Sequence, residues 1–216
     1  MSGLLLRAVL LGKLAIFLVF PELLAPPAQV KFDSMDYRNI LHWTPSNRSS
    51  SLQYNVQWKI YGESEWLNVD GCQGTQKLQC DLSSVTSDTR EWYYARVSAV
   101  GTSSMSAWAL SPRFSPRWNT KISPPTLRLS SNKQGIVVHV KPPRVLARKM
   151  RSNLHYKIYV IRPSGEEEVI HMDCCSNKLT LTKLNHKTKY CLQAQTGILL
   201  HAKSSARSPV ACITAP

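Results

Sequence analysis

The sequence predicts an all-β protein built from two β-sandwiches in tandem. Its 216 residues suit two domains of about 100 residues each, a usual size for a sandwich. Short runs of aromatic and β-branched residues alternate with polar residues at a period of two, which is typical of half-buried strands. Turn residues separate these runs, and the sequence has no long amphipathic helix pattern. A hydrophobic fraction of 43% and a charged fraction of 19% indicate an ordinary globular chain and not a disordered one.

The amino terminus predicts a secretory signal peptide over residues 1–28. Arg7 precedes an apolar run, and the small residues Ala25 and Ala28 near its end favour cleavage between them. An uncleaved membrane anchor is the alternative, but it needs about 20 apolar residues. Lys13 interrupts the run too early for that length. We therefore expect a secreted, extracellular protein without a membrane anchor.

The predicted first domain, residues 29–120, contains three clear strand patterns. They lie at residues 40–43, 54–60 and 93–99. In the run 54–60, aromatic and aliphatic side chains share one face and polar side chains occupy the other. Each run therefore predicts a strand with one face in a core.

The predicted second domain, residues 121–216, repeats this organisation. Its strand patterns lie at residues 127–129, 136–140, 154–160, 179–181 and 190–194. Two series of short strands at this spacing imply two sandwiches. The boundary falls within residues 115–125, where three prolines favour a stiff elbow over a flexible tether.

A tyrosine corner is predicted near the end of the chain. Leu184 and Thr188 precede Tyr190 at the start of a strand, so we expect the tyrosine hydroxyl to bond back to the preceding loop. Tyr93 has a similar position in the first domain. Such corners are typical of fibronectin type III-like sandwiches, and we assign both domains to that class.

The cysteines indicate disulfides, because they are even in number and follow a signal-like start. They are Cys72, Cys80, Cys174, Cys175, Cys191 and Cys212. Many pairings are possible, and their spacing alone does not choose among them. Asn47 begins a glycosylation sequon, which matters in a secreted chain.

The formal net charge of +14 predicts attraction to acidic proteins, anionic glycans or nucleic acid, or simply a basic soluble surface. The sequence has no GxSxG, no HExxH and no phosphate-binding glycine loop. Its six histidines are scattered and it has no CxxC pair, so we do not expect a metal site. We expect a binding protein with no catalytic activity and no cofactor.

Four segments resemble the extracellular region of class II cytokine receptors. They are NILHWTP at 39–45, YNVQWKIYGESEW at 54–66, CDLSSVTSDTREWYYARVSAV at 80–100 and PRFSPRWNTKISPP at 112–125. Together with the closing Cys191 and Cys212, they extend over almost the whole chain after the predicted signal peptide. The Trp-Ser-x-Trp-Ser box of class I receptors is absent from the sequence.

The resemblance implies a disulfide pairing. Carried over, the family's scheme joins Cys72 to Cys80 and Cys191 to Cys212. Cys174 and its neighbour at 175 fall outside that scheme. Adjacent cysteines can form a strained ring, pair with another chain or stay as thiols, and the sequence leaves these alternatives open.

The resemblance also implies a function. We expect a secreted decoy receptor for a helical cytokine of the interleukin-10 family, with interleukin-22 as the first candidate. One alternative is a soluble ectodomain form of a membrane receptor chain for interleukins 20 or 22. Another is a heparin-binding extracellular protein that uses clustered basic residues on heparan sulfate. A protease cofactor resembling tissue factor needs its own exposed contact set, which the sequence does not offer.

The first-domain candidates for the cytokine contact surround the end of the run 54–60. Tyr61 is out of phase with the core face, and tyrosine is enriched among binding hot spots. An ordinary surface turn at Tyr61 and Gly62 is the alternative. Tyr94 points away from the core if the alternation holds. Arg113 can recognise carboxylates, or it can simply stack on a tryptophan.

The second-domain candidates come from two basic segments. Residues 144–151 are expected to form a long loop facing the elbow, and residues 201–207 the last loop of the same domain. These segments favour contact with an acidic cytokine face, with heparan sulfate, or with solvent alone. The predicted cytokine-binding set is Lys59, Tyr61, Gly62, Glu63, Tyr94, Arg113, Arg148, Lys149, His201 and Lys203.

Overall fold

The structure is a computed structural model that describes residues 24–45, 52–102, 104–173 and 176–216. Most of the predicted signal peptide, the sequon at Asn47 and the pair Cys174 and Cys175 lie outside these residues. Among the described residues, no helix has the length and apolar character needed to cross a bilayer.

The first sandwich consists of two antiparallel sheets. Its strands are β1 (Ala28–Met35), β2 (Arg38–Thr44), β3 (Gln53–Ile60), β4 (Leu67–Asn68), β5 (Gln79–Asp81), β6 (Tyr93–Val100) and β7 (Ala109–Leu110). One sheet has the order β1-β2-β5 and the other the order β4-β3-β6-β7. A short helix, α1 (Pro116–Asn119), follows in the connection to the second sandwich.

The second sandwich repeats this arrangement. Its elements are β8 (Thr126–Asn132), β9 (Gly135–Lys141), α2 (Arg144–Lys149), a 3-10 turn (Arg151–Asn153), β10 (Leu154–Ile161), β11 (Glu167–Asp173), β12 (Lys178–Leu181), β13 (Lys189–Ile198), a second 3-10 turn (Leu199–His201), β14 (Lys203–Ser204) and β15 (Ala211–Thr214). One sheet has the order β12-β9-β8, and the other the order β11-β10-β13-β14, with β15 also pairing β13. The predicted fold class is confirmed.

The predicted strand patterns bury the faces that their alternation assigned to a core. Leu41 on β2, Val56 on β3 and Val97 on β6 are completely buried between the first two sheets. In the second sandwich, Val138 and Ile158 are likewise buried. Each such side chain contributes about 1.5–3 kcal/mol through the apolar surface it removes from water.

Residues 144–151 differ from the prediction, because they form α2 and the following 3-10 turn instead of a loop. Leu146 is completely buried, and Met150, four residues later, packs against the same core. Residues spaced by four lie on one face of a helix, so the helical turn lets both reach the core. The basic residues Arg144 and Arg148 of the same helix are exposed.

Both tyrosine corners are present. The backbone N–H of Asn185 donates a hydrogen bond of 2.9 Å to the hydroxyl of Tyr190. In the first sandwich, the hydroxyl of Tyr93 donates to the carbonyl of Asp88 at 3.0 Å. Burial raises the pKa of Tyr93 to about 12, with the nearby acidic residues adding to the effect.

The family's disulfide pairing is confirmed for the described cysteines. Cys72 is bonded to Cys80 and Cys191 to Cys212. Cys191 and Cys212 are direct partners in the ladder between β13 and β15. This bridge therefore fastens the last strand to the centre of its sheet.

A tyrosine from the first sandwich completes the core of the second. Asp36 and Tyr37 form the turn between β1 and β2 with left-handed φ values of 55° and 64°. This turn carries Tyr37 into the second core, where its side chain is 2% exposed. Its hydroxyl shares a hydrogen bond of 2.5 Å with Nδ1 of His201, and its carbonyl accepts one of 3.1 Å from Nζ of Lys149.

Further hydrogen bonds join the two sandwiches through the connecting segment. A carboxylate oxygen of Asp36 accepts from the N–H of Ser123 at 2.8 Å. The Nζ of Lys203 donates to the carbonyls of Trp118 and Thr120, both at 2.9 Å. Burial lowers the pKa of Lys203. These contacts make the junction a packed elbow.

Candidate ligand-binding surface

Tyr61 stands on an anchored loop at the elbow end of the first sandwich. Its side chain is 55% exposed, while its backbone N–H donates to the carbonyl of Trp92 at 2.7 Å. Gly62 follows with φ +95°, a conformation that side chains other than glycine rarely adopt. The N–H of Glu63 then donates back to the carbonyl of Ile60 at 3.2 Å and closes the turn. The backbone of this loop is held while the tyrosine ring faces solvent.

Lys59 supports the same loop from the strand below it. Its Nζ donates to the carbonyl of Glu63 at 2.8 Å and lies 5.1 Å from the centre of the Trp66 ring. Lys59 is also the cross-strand partner of Tyr94 on β6. The loop residues and Tyr94 therefore belong to one continuous surface.

Tyr61, Trp92, Tyr94 and Arg113 form an aromatic–arginine cluster on this surface. The ring centres of Tyr61 and Tyr94 are 6.1 Å apart at an interplanar angle of 49°. The Cζ of Arg113 lies 4.2 Å from the centre of the Trp92 ring and 5.2 Å from that of Tyr61. The alternation predicts that Tyr94 points away from the core. In the structure its side chain is half-buried on the outer face of the sheet.

The position of Arg113 is compatible with both roles that its sequence context left open. It stacks on Trp92, as a packing arginine would. It is also exposed, and no ion pair of the described residues includes it. A stacked guanidinium keeps its N–H edge available, and stacking limits the rotamers it loses on binding. The cluster therefore presents a preorganised cation beside an exposed phenol.

A second stack stiffens the sheet beside the cluster. The Cζ of Arg96 lies 4.2 Å from the Trp66 ring centre and 4.5 Å from that of Trp108. Its Nε and Nη2 both donate to Oε1 of Gln57, at 2.9 and 2.6 Å. Sequence reasoning missed this stack, because its members are far apart in the chain and only the strand register brings them together.

The second-domain candidates are divided between solvent and the elbow. Arg148 is exposed on α2. The amines of Lys149 and Lys203 reach backbone carbonyls at the elbow. His201, predicted as a cytokine contact in the last loop, is only 5% exposed and is bonded to Tyr37. Burial, followed by the positive charges of Arg117 and Lys203, lowers the pKa of His201.

Exposed apolar residues at the elbow were not predicted. Leu199 and Leu200, in the 3-10 turn that also contains His201, are 67% and 56% exposed. Trp118 on α1 is 58% exposed. Exposed apolar side chains of this size often mark interaction sites. The sequence signal that could have predicted them is the leucine pair directly after β13, at positions where the alternation predicts at least one polar residue.

Two family models match the chain in succession. The model described as "Tissue factor" matches residues 1–108. The model described as "Interferon-alpha/beta receptor, fibronectin type III" matches residues 120–216.

Curated relatives extend over most of the chain. Interleukin-22 receptor subunit alpha-2 of Rattus norvegicus is 32% identical over 201 residues, which covers 88% of this chain and 88% of the relative. The subunit of the same name from Homo sapiens is 29% identical over 233 residues, covering 88% and 89%. Interleukin-20 receptor subunit alpha of Homo sapiens is 33% identical over 186 residues, which covers 80% of this chain and 33% of that protein.

The fold is also found in a solved structure. The crystal structure of the chicken interferon gamma receptor alpha chain superposes with a TM-score of 0.81 at 24% identity, covering 89% of this chain and 99% of that one. Its sandwiches agree with the architecture described above. From the matched domain models and the relatives that share its length, the chain belongs to the class II cytokine receptor family.

Proposed function

We propose that the chain is a secreted decoy receptor that binds a helical cytokine of the interleukin-10 family, with interleukin-22 as its ligand. The observation that carries this proposal is the aromatic–arginine cluster, exposed on an anchored loop at the elbow end of the first sandwich. The similarity to interleukin-22 receptor subunit alpha-2, over 88% of both chains, supports the choice of ligand.

The cluster has the chemistry of a binding hot spot. Tyrosine and arginine supply large contact areas with a polar end, and both are enriched among residues whose truncation weakens interfaces. Tyr61 would fill a shallow pocket on the cytokine, and Arg113 would pair with a carboxylate beside it. The stack on Trp92 reduces the freedom lost on binding, which favours slow dissociation.

The decoy activity follows from occupation of the cytokine surface. A secreted receptor that covers the face needed by a signalling receptor lowers the free cytokine concentration, and it needs no catalysis and no cofactor for this role. The packed elbow supports the activity, because a fixed angle lets both sandwiches meet the ligand without an ordering cost.

A soluble ectodomain form of a membrane receptor chain is the second candidate. It is favoured by the 33% identity with human interleukin-20 receptor subunit alpha, a protein of which the chain covers one third. The two candidates share the same binding surface. A transcript survey for an exon that encodes a membrane segment distinguishes them.

The test of the proposal is a surface plasmon resonance panel. The purified chain is immobilised and exposed to each interleukin-10 family cytokine, and interleukin-22 should be retained. The chain in solution should then prevent interleukin-22 from binding an immobilised ectodomain of interleukin-22 receptor subunit alpha-1. Retention of none of the cytokines by folded protein would overturn the proposal, and retention without competition would remove the decoy role.

A further inference from the structure

The positive charge of the chain is concentrated in the second sandwich. Residues 121–216 contain 16 lysines and arginines but only four acidic residues. The acidic residues are Glu166, Glu167, Glu168 and Asp173, all on β11 or directly before it. β11 belongs to the sheet β11-β10-β13-β14. The other sheet of this sandwich, β12-β9-β8, therefore carries no acidic side chain among its described residues.

On that other sheet, basic side chains form a row across three strands. Arg128 on β8 pairs with His139 on β9, and His139 pairs with Lys178 on β12. Lys141 lies two residues along β9, on the same outer face as His139. All four side chains are exposed. Adjacent strands are about 4.8 Å apart, so the row places the charges of Arg128 and Lys178 on either side of the His139 imidazole, about two strand spacings apart.

Two further lysines lie near the end of this sheet that is remote from the elbow. Lys133 is in the turn between β8 and β9, and Lys183 follows β12, whose last residue Leu181 pairs with Ile136 next to that turn. Both lysines are exposed. Lys183 lines a cavity together with Arg162 and Glu168 from the side of the other sheet. We therefore call Arg128, His139, Lys141 and Lys178 the basic face.

Among the described residues, no ion pair includes a member of the basic face. The ion pairs described for this sandwich join Arg162 to Glu166 and Glu168, and Arg207 to Glu167. Each of these acidic residues belongs to the β11 side. Positive groups at close spacing repel one another, and an external polyanion relieves that repulsion while it releases counterions.

We propose that the basic face binds a sulfated glycosaminoglycan. An extended chain with repeated sulfate groups matches a flat row of cations, in which Arg128 offers a planar fork and the lysines offer point charges. Strands β8, β9 and β12 carry no Phe, Tyr or Trp, the side chains on which single-stranded nucleic acids stack. The outer face also lacks the exposed apolar centre of a protein interface, since Val137 is buried.

The glycan site is separate from the elbow. The first-domain cytokine candidates lie around the end of β3 and the start of β6, and the second-domain candidates lie on α2 and at residues 201–203, whereas the basic face lies on the outer side of the sheet β12-β9-β8. The chain can therefore hold a glycan and a cytokine together. Such a receptor would be retained on extracellular matrix, close to its site of release. Glycan binding does not depend on the cytokine proposal.

Two triple variants of equal charge test the site. One removes Arg128, Lys141 and Lys178 by substitution with alanine. The matched control removes Arg144, Arg148 and Arg151, which are exposed on α2 and the turn after it. Dissociation constants for heparin are measured over a series of salt concentrations, and elution from a sulfopropyl resin reports charge alone.

We expect the basic-face triple to lower the slope of log Kd against log salt by about two to three, since each lost contact removes about one. The control triple should keep most of that slope, although both should elute alike from the sulfopropyl resin. Equal losses for heparin in the two variants would overturn the proposal. Duplex DNA is the alternative ligand. If it binds more tightly than heparin and the basic-face triple abolishes that binding, the site binds nucleic acid and the glycan proposal is overturned. Binding of interleukin-22 to the basic-face triple is measured as well, because that result tests the proposed function independently of glycan binding.

Discussion

Arg113 packs on aromatic rings of the first sandwich, and the proposed function gives it a second role in contact with a ligand. Its guanidinium lies within 5.2 Å of the ring centres of both Trp92 and Tyr61, and the residue is exposed. Stacking of this kind contributes about 0.5–1 kcal/mol at exposed sites, which is small beside the stability of a domain. A larger effect is expected on binding, because the residue would be buried against the partner.

Replacement of Arg113 by alanine should therefore weaken interleukin-22 binding more than it weakens the fold. We expect a loss of about 2 kcal/mol in binding, or some thirtyfold in affinity, and a much smaller change in the free energy of unfolding. Lys77→Ala is the control, because Lys77 is exposed in the loop that precedes β5, near the end remote from the elbow. Equal effects of the two substitutions in surface plasmon resonance would show that Arg113 is a packing residue alone.

His201 predicts how stability depends on pH. Its folded-state pKa is lowered, chiefly by burial and then by Arg117 and Lys203, so the fold favours the neutral imidazole. The stabilisation is present above the usual histidine pKa of about 6.5 and is lost as the pH falls below it towards the lowered value. The melting temperature should therefore decrease between pH 7 and pH 5.

Substitution of His201 by glutamine tests this assignment. Glutamine can bond the Tyr37 hydroxyl and does not titrate in this range, so the acid-induced decrease in melting temperature should be smaller. Part of it should remain, because burial also lowers the pKa of His155. An unchanged decrease in the variant would rule out His201 as a source of the pH dependence.

At the scale of elements, alternation predicted the strands that have one face in a core. β3 and β6 were readable because their buried and outer residues alternate along most of each strand. β11 was not, because it is an edge strand with mostly exposed residues and little apolar patterning. α2 is too short for its period to stand out from a basic segment.

The candidate site was predictable only where a local pattern along the chain determines the position of a residue. The phase of β3 predicted that Tyr61 leaves the core, and its exposure agrees. The stack of Arg113 on Trp92 depends on the pairing of Tyr93 with Phe114, a long-range contact without a local signal. The sequence places His201 in a basic loop without any sign of Tyr37, which comes from the other sandwich and packs against it.

The bridge between Cys191 and Cys212 should dominate the stability of the second sandwich's last strand. Removal of a native disulfide from a small domain costs about 2–5 kcal/mol, and here β15 would lose its covalent link to β13. The double alanine variant should be secreted at a lower yield and unfold at lower urea concentration. Unchanged unfolding, or a mapped peptide that joins Cys191 to Cys174, would contradict the assignment.

At the scale of the whole molecule, the elbow makes the two sandwiches one unit. Tyr37 fills the second core from the first sandwich, so the domains cannot separate without exposing a buried aromatic ring. Truncation of such a ring costs about 3–5 kcal/mol. The angle between the domains should thus depend on this side chain.

Tyr37→Ala should open the elbow, and Tyr37→Phe should keep it closed. The alanine variant is expected to have a larger radius of gyration in small-angle X-ray scattering and a lower affinity for interleukin-22. Phenylalanine retains the packing and loses only the hydrogen bond to His201. Identical scattering from the alanine variant and the wild type would mean that the remaining contacts, such as that of Asp36 with Ser123, set the angle.

The most direct test of the account is the affinity of Tyr61→Ala for interleukin-22. Tyr61 is exposed and anchored only through its backbone, so the substitution should leave the free energy of unfolding within about 0.5 kcal/mol. Leu78→Ala is the control, an exposed apolar residue near the opposite end of the same sandwich. Surface plasmon resonance, with circular dichroism melts beside it, should show an affinity loss of at least about thirtyfold for Tyr61→Ala, mainly through faster dissociation, and none for Leu78→Ala. Wild-type affinity in a folded Tyr61→Ala protein would contradict the assignment of the aromatic–arginine cluster as the cytokine-binding surface.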